Sequence, residues 1–459
     1  MKIFGKLYDK NKIDYETMLY PLKAMFTLLI PIVIEQLLNS FMGMVDTMMV
    51  SNVGGEAISA VSLVDSVNNL VIQVFAAMAS GAAIICSQYL GHRDRDGSNR
   101  AARQVVLTVF VISVSLTAFG LIFRKPMLRF VFGQIEPGVM DKAMSYFLVT
   151  VLSYPFLALF NAGAAFFRAG GNSRFPMKVS VISNVLNIVG NAVLIFGFGM
   201  GVVGAALSTL ASRAFCAVVI LTYLRKDRQD IVLRDYAKIR PDLPLIMKIL
   251  AIGIPSGVEN GMFQFGKLAI QSTVSTMGTD AIAAQAMTNI MEMVNGIFGV
   301  GVGIGLMTMV GQALGAGRQE EAKYYIVKCT KIGLAGILVS CLAVFGLAKP
   351  IIWLAGMEPV SARLCLEMVA AITVAKPLFW AFSFIPAYGM RAAGDVRFSM
   401  LTSTLTMWCL RVALCIFLVK TYHMGPMAVW YGMFTDWAVR GIVFFCRFRS
   451  GRWLQKRVI

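Results

Sequence analysis

Long, nearly charge-free apolar runs constrain this chain more than any other feature. Residues 105–123, 326–348 and 401–419 are each long enough, at about 1.5 Å per residue, to cross a hydrocarbon layer of about 30 Å as a helix. The runs are continuous and lack the apolar/polar alternation of a membrane barrel, so helices are expected and strands are not. Of 459 residues, 58% are hydrophobic and 14% charged, against roughly 25% charged in soluble chains. Such a chain cannot hide its apolar surface from water, and an all-α integral membrane protein is expected.

Twelve spans are expected, near 24–47, 58–82, 103–123, 143–167, 176–197, 202–224, 246–272, 281–310, 326–348, 363–390, 398–419 and 425–446. The first apolar stretch contains Glu35 and Asp46 and has no small-residue cleavage site, so it reads as the first helix and not as a signal peptide. A net charge of +18 would suit a nucleic-acid partner, but its placement answers that first. Of the 42 lysines and arginines, 31 fall on one side of this topology. Only Arg124, Lys125, Arg129, Lys142, Lys349, Arg363 and Lys420 fall on the other. By the positive-inside rule both termini are cytoplasmic, and the basic residues meet anionic lipid, not nucleic acid.

The chemistry of a soluble enzyme is missing. The eight cysteines are scattered without a CxxC, and His92 and His423 sit in predicted loops, so no disulfide framework, zinc site or histidine mechanism is implied. No Walker motif is evident, which argues against an ATP-driven pump and for ion-driven or passive transport without a cofactor. The glycines at 299, 301, 303 and 305 lie inside an apolar helix with no preceding strand; close helix packing explains them better than a nucleotide fingerprint.

An internal repeat sets the architecture. Ile30-Pro-Ile-Val-Ile-Glu35 returns as Ile254-Pro-Ser-Gly-Val-Glu259, an offset of 224, and Gln88-Tyr-Leu-Gly91 returns as Gln312-Ala-Leu-Gly315 at the same offset. Arg168-Ala-Gly-Gly-Asn-Ser-Arg-Phe-Pro-Met177 returns as Arg391-Ala-Ala-Gly-Asp-Val-Arg-Phe-Ser-Met400 at 223. Two six-helix halves of like orientation follow, a parallel repeat with a cleft at its interface. The expected order is a cytoplasmic lead 1–23, an N-lobe 24–224, a linker 225–245, a C-lobe 246–446 and a basic tail 447–459.

A charge at mid-bilayer costs roughly 2.5 to 3.5 kcal/mol on insertion scales, so each one must be paired, wetted or used. The spans hold Glu35, Asp46, Asp65, Glu259, Lys267 and Glu292, with Arg213, Lys376 and Arg411. Asp436 and Arg440, four apart, form an expected ion pair. Ser62, Asp65, Asn69 and Gln73 make a polar stripe at helical period, matched by Gln285, Thr288, Glu292 and Asn295. Interhelical hydrogen bonding and cavity lining both remain open for these stripes. Pro31 and Pro255 precede the paired glutamates by four residues; kinks there would serve as gates.

Pro31, Val45-Asp-Thr47, residues 54–60, Arg168-Ala-Gly-Gly-Asn-Ser-Arg174, Asn187, Leu194-Ile-Phe-Gly197 and Gly204-Ala-Ala206 together resemble the multidrug and toxic compound extrusion (MATE) family, nearest its DinF-like and related bacterial branches. The resemblance covers nearly the whole chain. It implies export of organic cations driven by inward flow of H⁺ or Na⁺, and it carries the ion-coupling group of the DinF-like branch onto Asp46, Asn187, Asn191 and Thr209. Asn191 departs from that branch, which often has aspartate; one carboxylate in place of two holds Na⁺ less strongly and leaves protonation of Asp46 workable. In the NorM-like branch a glutamate matches Glu259, while its helix 10 aspartate has no counterpart and Lys376 lies one turn before Trp380. Lys376 is expected to neutralise Glu259, or else to deprotonate as part of a coupled pair.

The resemblance thus implies a monomeric antiporter in a bacterial cytoplasmic membrane, exporting amphipathic, cationic drugs or metabolites by rocking of its lobes. Two rivals stay open. One is a lipid-linked saccharide flippase of the same broader superfamily, for which Arg213, Lys267, Lys376 and Arg411 speak. The other is a channel or scaffold without coupled transport.

Overall fold

The turns between the first two helices of each half rest on Gly54 and Gly278, at φ 124° and 99°, a backbone that a residue with a Cβ rarely adopts. These glycines are repeat mates, so the two halves are punctuated alike. The structure, a computed structural model, describes residues 7–133, 136–227, 229–456 and 458, and no strand occurs among them. The first repeat comprises α1 (Leu22–Ser51), α2 (Gly55–Gly91), α3 (Arg95–Ile122), α4 in two pieces (Pro137–Leu152 and Tyr154–Ala169), α5 (Arg174–Gly197) and α6 (Gly201–Tyr223). The second comprises α7 (Leu243–Ser275), α8 (Thr279–Gly315), α9 (Gln319–Leu354), α10 (Pro359–Ala392), α11 (Val396–Tyr422) and α12 (Met427–Ser450). A short helix, Arg124–Phe132, precedes α4.

Ten of these helices are long and apolar enough to cross a membrane, and the two pieces of α4, bent by 42°, make an eleventh. The 24 residues of α12 have the length to span, but they include Asp436, Arg440, Arg447 and Arg449. Several helices outrun the expected spans. The 37 residues of α2 and of α8 extend about 55 Å, well past the hydrocarbon layer. Hydropathy marks only the lipid-immersed part of a helix, and backbone hydrogen bonding carries the rest. The start of α3, eight residues earlier than expected, is fixed by Asp94, whose carboxylate accepts from the Gly97 amide at 2.8 Å. The break in α4 falls at Ser153, next to Pro155, which has no amide hydrogen to continue the ladder.

The helices form two compact units whose boundaries fall inside α1 and α7, at positions 224 apart. One unit is Ile34–Gly257, here the N-lobe; the other joins residues up to Val33 with those from Val258 onward, here the C-lobe. Each lobe therefore contains the opening turns of the other repeat's first helix. Within the N-lobe, a Cβ on Gly81 of α2 would stand 3.4 Å from the Gly253 amide of α7. Within the C-lobe, one on Gly301 of α8 would stand 3.0 Å from the Val33 Cα of α1. The segments ahead of α1 and α7 dock in the same reciprocal way. In the C-lobe the Asp9 and Leu19 amides donate to Glu320 and Glu321 of α9, each at 2.8 Å. In the N-lobe the Val232 amide donates to Asn99 of α3 at 2.9 Å, and Gln104 brackets the linker through the Arg240 carbonyl and the Asp242 amide.

The glycine run of α8 packs closely, as its sequence implies. Gly299 and Gly303 face Trp380 and Tyr388 of α10, while Gly301 and Gly305 face Val33 and Leu29 of α1. Without Cβ atoms, α8 receives a bulky neighbour on each of two faces.

Candidate functional site

Asp46, half-buried on α1, ends a chain of side-chain hydrogen bonds through the N-lobe. Asn191 Nδ2 donates to Asp46 Oδ1 at 2.6 Å and to Asn187 Oδ1 at 3.2 Å. Asn187 Nδ2 in turn donates to Thr209 Oγ1 at 3.3 Å and to Ser212 Oγ at 3.4 Å. Asn187 and Asn191, four apart on α5, share one face, and both are buried. Immediately after Asn191, α5 widens into a π-helical turn over Ala192–Gly197, a departure that often accompanies functional sites. The four residues carried over from the family resemblance thus form one connected group.

This group borders a cavity of about 720 Å³ inside the N-lobe, lined among others by Asp46, Asp65, Asn69, Asn187, Thr209 and Arg213. Asn191 lies behind that wall, between Asp46 and Asn187. Asp65 Oδ1 accepts from Asn68 Nδ2 at 3.2 Å and from the Tyr146 hydroxyl at 3.3 Å, and the Tyr154 hydroxyl donates to Asn68 Oδ1 at 2.7 Å. Ser62, Asp65 and Asn69 of the α2 stripe line the cavity; Gln73 is not among its described lining residues.

The matching stripe on α8 has the opposite fate. Gln285, Thr288 and Asn295 are buried in packing, with Gln285 accepting from Trp430 Nε1 at 3.1 Å and donating to Asn289 at 3.2 Å. Glu292 takes an ion pair with Lys376 of α10, whose ammonium also donates to the Glu292 carbonyl at 2.7 Å and stands 5.7 Å from the Trp380 ring centroid. Lys267 and Arg411 stand over the Phe263 ring at 5.0 and 5.1 Å. Asp436 and Arg440 form their expected pair at 2.9 Å.

The expected contact between Lys376 and Glu259 does not occur. Glu259 pairs instead with Arg391 at 2.5 Å, and Lys376 lies fifteen residues before Arg391 on α10, about 22 Å along the axis. One carboxylate cannot reach both. The N-lobe repeats this pair: Glu35, expected among cavity or gating residues, meets Arg168 at 2.7 Å and accepts from Ser180 Oγ at 3.4 Å, outside the described lining of the cavity. Pro31 and Pro255 lie inside α1 and α7, four residues before these glutamates, and both helices continue through them.

The MatE family model matches the chain twice, over residues 31–193 and 255–417, an offset of 224 that equals the internal repeat. The chain belongs to the MatE family. It is a multi-pass membrane transporter, not an enzyme. The uncharacterized transporter YisQ of Bacillus subtilis is 28% identical over 447 residues, covering 94% of this chain and 95% of that one. A probable multidrug resistance protein NorM of Thermotoga maritima is 26% identical over 457 residues, covering 98% and 97%. The fold matches that of a multidrug resistance MATE family transporter of the MOP superfamily in its outward-facing conformation, with a TM-score of 0.88 at 20% identity, over 95% of this chain and 97% of that one.

Sequence reading missed the partners of the two repeated glutamates, although the signal was present. An acid recurring at 224 and a base recurring at 223 imply one ion pair made twice. The tyrosines and Ser153 around Asp65 and Arg213 left no such mark, because α4 brings them in through a bend that no periodicity announces.

Proposed function

We propose that this MatE transporter is a secondary antiporter that exports amphipathic, cationic drugs or metabolites in exchange for inward H⁺ or Na⁺, with Asp46 as the coupling residue. The observation that carries the reading is Asp46 itself, a carboxylate on the wall of the N-lobe cavity and bonded through Asn191 to Asn187 and Thr209. A carboxylate at membrane depth demands compensation, and a proton, a Na⁺ ion and a cationic substrate each supply it. Only one of them occupies the site at a time. Loading with H⁺ or Na⁺ weakens substrate binding and biases which face is open, which is the thermodynamic content of exchange.

The charged residues of the C-lobe support a structural role there, since Glu259 is tied to Arg391 and Glu292 to Lys376. On this reading the protein works as a monomer surrounded by lipid in a bacterial cytoplasmic membrane, with both termini cytoplasmic and the lobes rocking about the substrate. Efflux of ethidium from proteoliposomes under separately imposed pH and Na⁺ gradients tests it. One gradient should drive efflux; response to neither would favour an uncoupled channel or a flippase.

A further inference from the structure

The N-lobe cavity holds a guanidinium as well as two carboxylates. Arg213 sits four residues after Thr209 on α6, so the two share a face, and both line the cavity with Asp46 and Asp65. Its Nη1 donates to Ser153 Oγ at 2.7 Å, and Ser153 Oγ donates to the Thr150 carbonyl at 2.6 Å, which anchors the arginine at the break in α4. Among the described residues Arg213 forms no ion pair, although two carboxylates border the same space. Asp65 instead takes neutral donors, Asn68 and Tyr146, and Asp46 takes Asn191.

Attraction between opposite charges that border one cavity would ordinarily close such a pair. Here each acid accepts from neutral donors and neither pairs with the base, and the fork of the guanidinium keeps donors for a planar anion. We infer that Arg213 is a specificity-determining residue: it receives a carboxylate where the substrate carries one, while Asp46 and Asp65 face the cationic part, so that among cationic substrates those bearing a carboxylate bind preferentially. This rests on the cavity being the substrate site, as proposed above, and it adds the specificity determinant. A cavity of about 720 Å³ accommodates a dye-sized molecule of that kind.

Rhodamine B and its ethyl ester share one xanthylium cation and differ only in the carboxylate, which makes them the probes. Equilibrium binding of both to detergent-purified protein gives a ratio of dissociation constants, ester over acid. Wild type should prefer the acid, and R213Q should lower that ratio roughly tenfold to a hundredfold, the scale of a hydrogen-bonded charge pair, with R213K falling between. A ratio unchanged in R213Q, or a wild type that prefers the ester, would overturn the inference while leaving cation export intact. Gradient-driven flux of the same probes separates the two readings. Binding with the predicted ratio but without driven flux would sink antiport and leave the role of Arg213 standing. Binding of neither dye would overturn the inference, and ethidium efflux under the same gradients then decides antiport separately.

Discussion

At the scale of single residues, the N-lobe chain makes Asp46 singular. Every other member of the chain is neutral, so Asp46→Asn should abolish gradient-driven ethidium efflux while expression and the thermal midpoint of the purified protein stay near wild type. Efflux persisting at half the wild-type rate or more would remove Asp46 from the mechanism. Asn191→Asp places a second carboxylate within hydrogen-bond reach of the first, and two adjacent carboxylates share a cation more strongly than one. That variant should gain Na⁺ binding by roughly tenfold, read as Na⁺-dependent protection against thermal unfolding. The group of Asp46, Asn187, Asn191 and Thr209 was legible in the sequence only through its family resemblance, because residues on three helices have no common period. Arg213 and Asp65 were legible as charges in lipid, but not as neighbours across a cavity. That relation depends on the bend at Ser153, which the chain announces by nothing stronger than Pro155.

Among the elements, duplication predicts matched energetics. Glu35–Arg168 and Glu259–Arg391 are one interaction made in each lobe, both largely buried. Removing one partner of a buried pair leaves a charge uncompensated and costs about 3–5 kcal/mol. Glu35→Gln and Glu259→Gln should therefore lower the thermal midpoint by similar amounts, and the charge reversal E35R/R168E should recover part of the loss. A drop confined to one lobe would contradict the matched roles. Helix contacts give a sharper contrast. A Cβ at Gly301 meets backbone atoms of Val33 that cannot turn aside, whereas one at Gly253 meets nothing nearer than 3.7 Å. Gly301→Ala should cost roughly 1–3 kcal/mol and Gly253→Ala little, by thermal unfolding in detergent. The sequence revealed the repeat and the close-packing glycines because both are periodic. The reciprocal placement of the first turns of α1 and α7 stayed hidden, since a continuous apolar helix carries no mark of the unit that each of its ends joins.

For the whole molecule, the two repeats share a frame and differ in chemistry. The α2 stripe borders a cavity, and the α8 stripe is filled by Trp430, Asn289 and the Lys376 ammonium. The topology predicted from basic residues is checked by single cysteines at 229 and 455, which a membrane-impermeant maleimide should label only from the cytoplasmic side. With Asp46 as the proposed coupling residue, coupling resides in the N-lobe. Ethidium efflux in D46N and in K376M/E292M, reconstituted in parallel under one imposed gradient, decides which lobe couples. Exchanging both members of a buried ion pair for apolar side chains is often neutral to stability, so the second variant should remain folded. Driven efflux should be lost in D46N and substantially retained in K376M/E292M. Driven efflux in D46N, with loss in K376M/E292M, would contradict the role of Asp46 and move the coupling to the C-lobe.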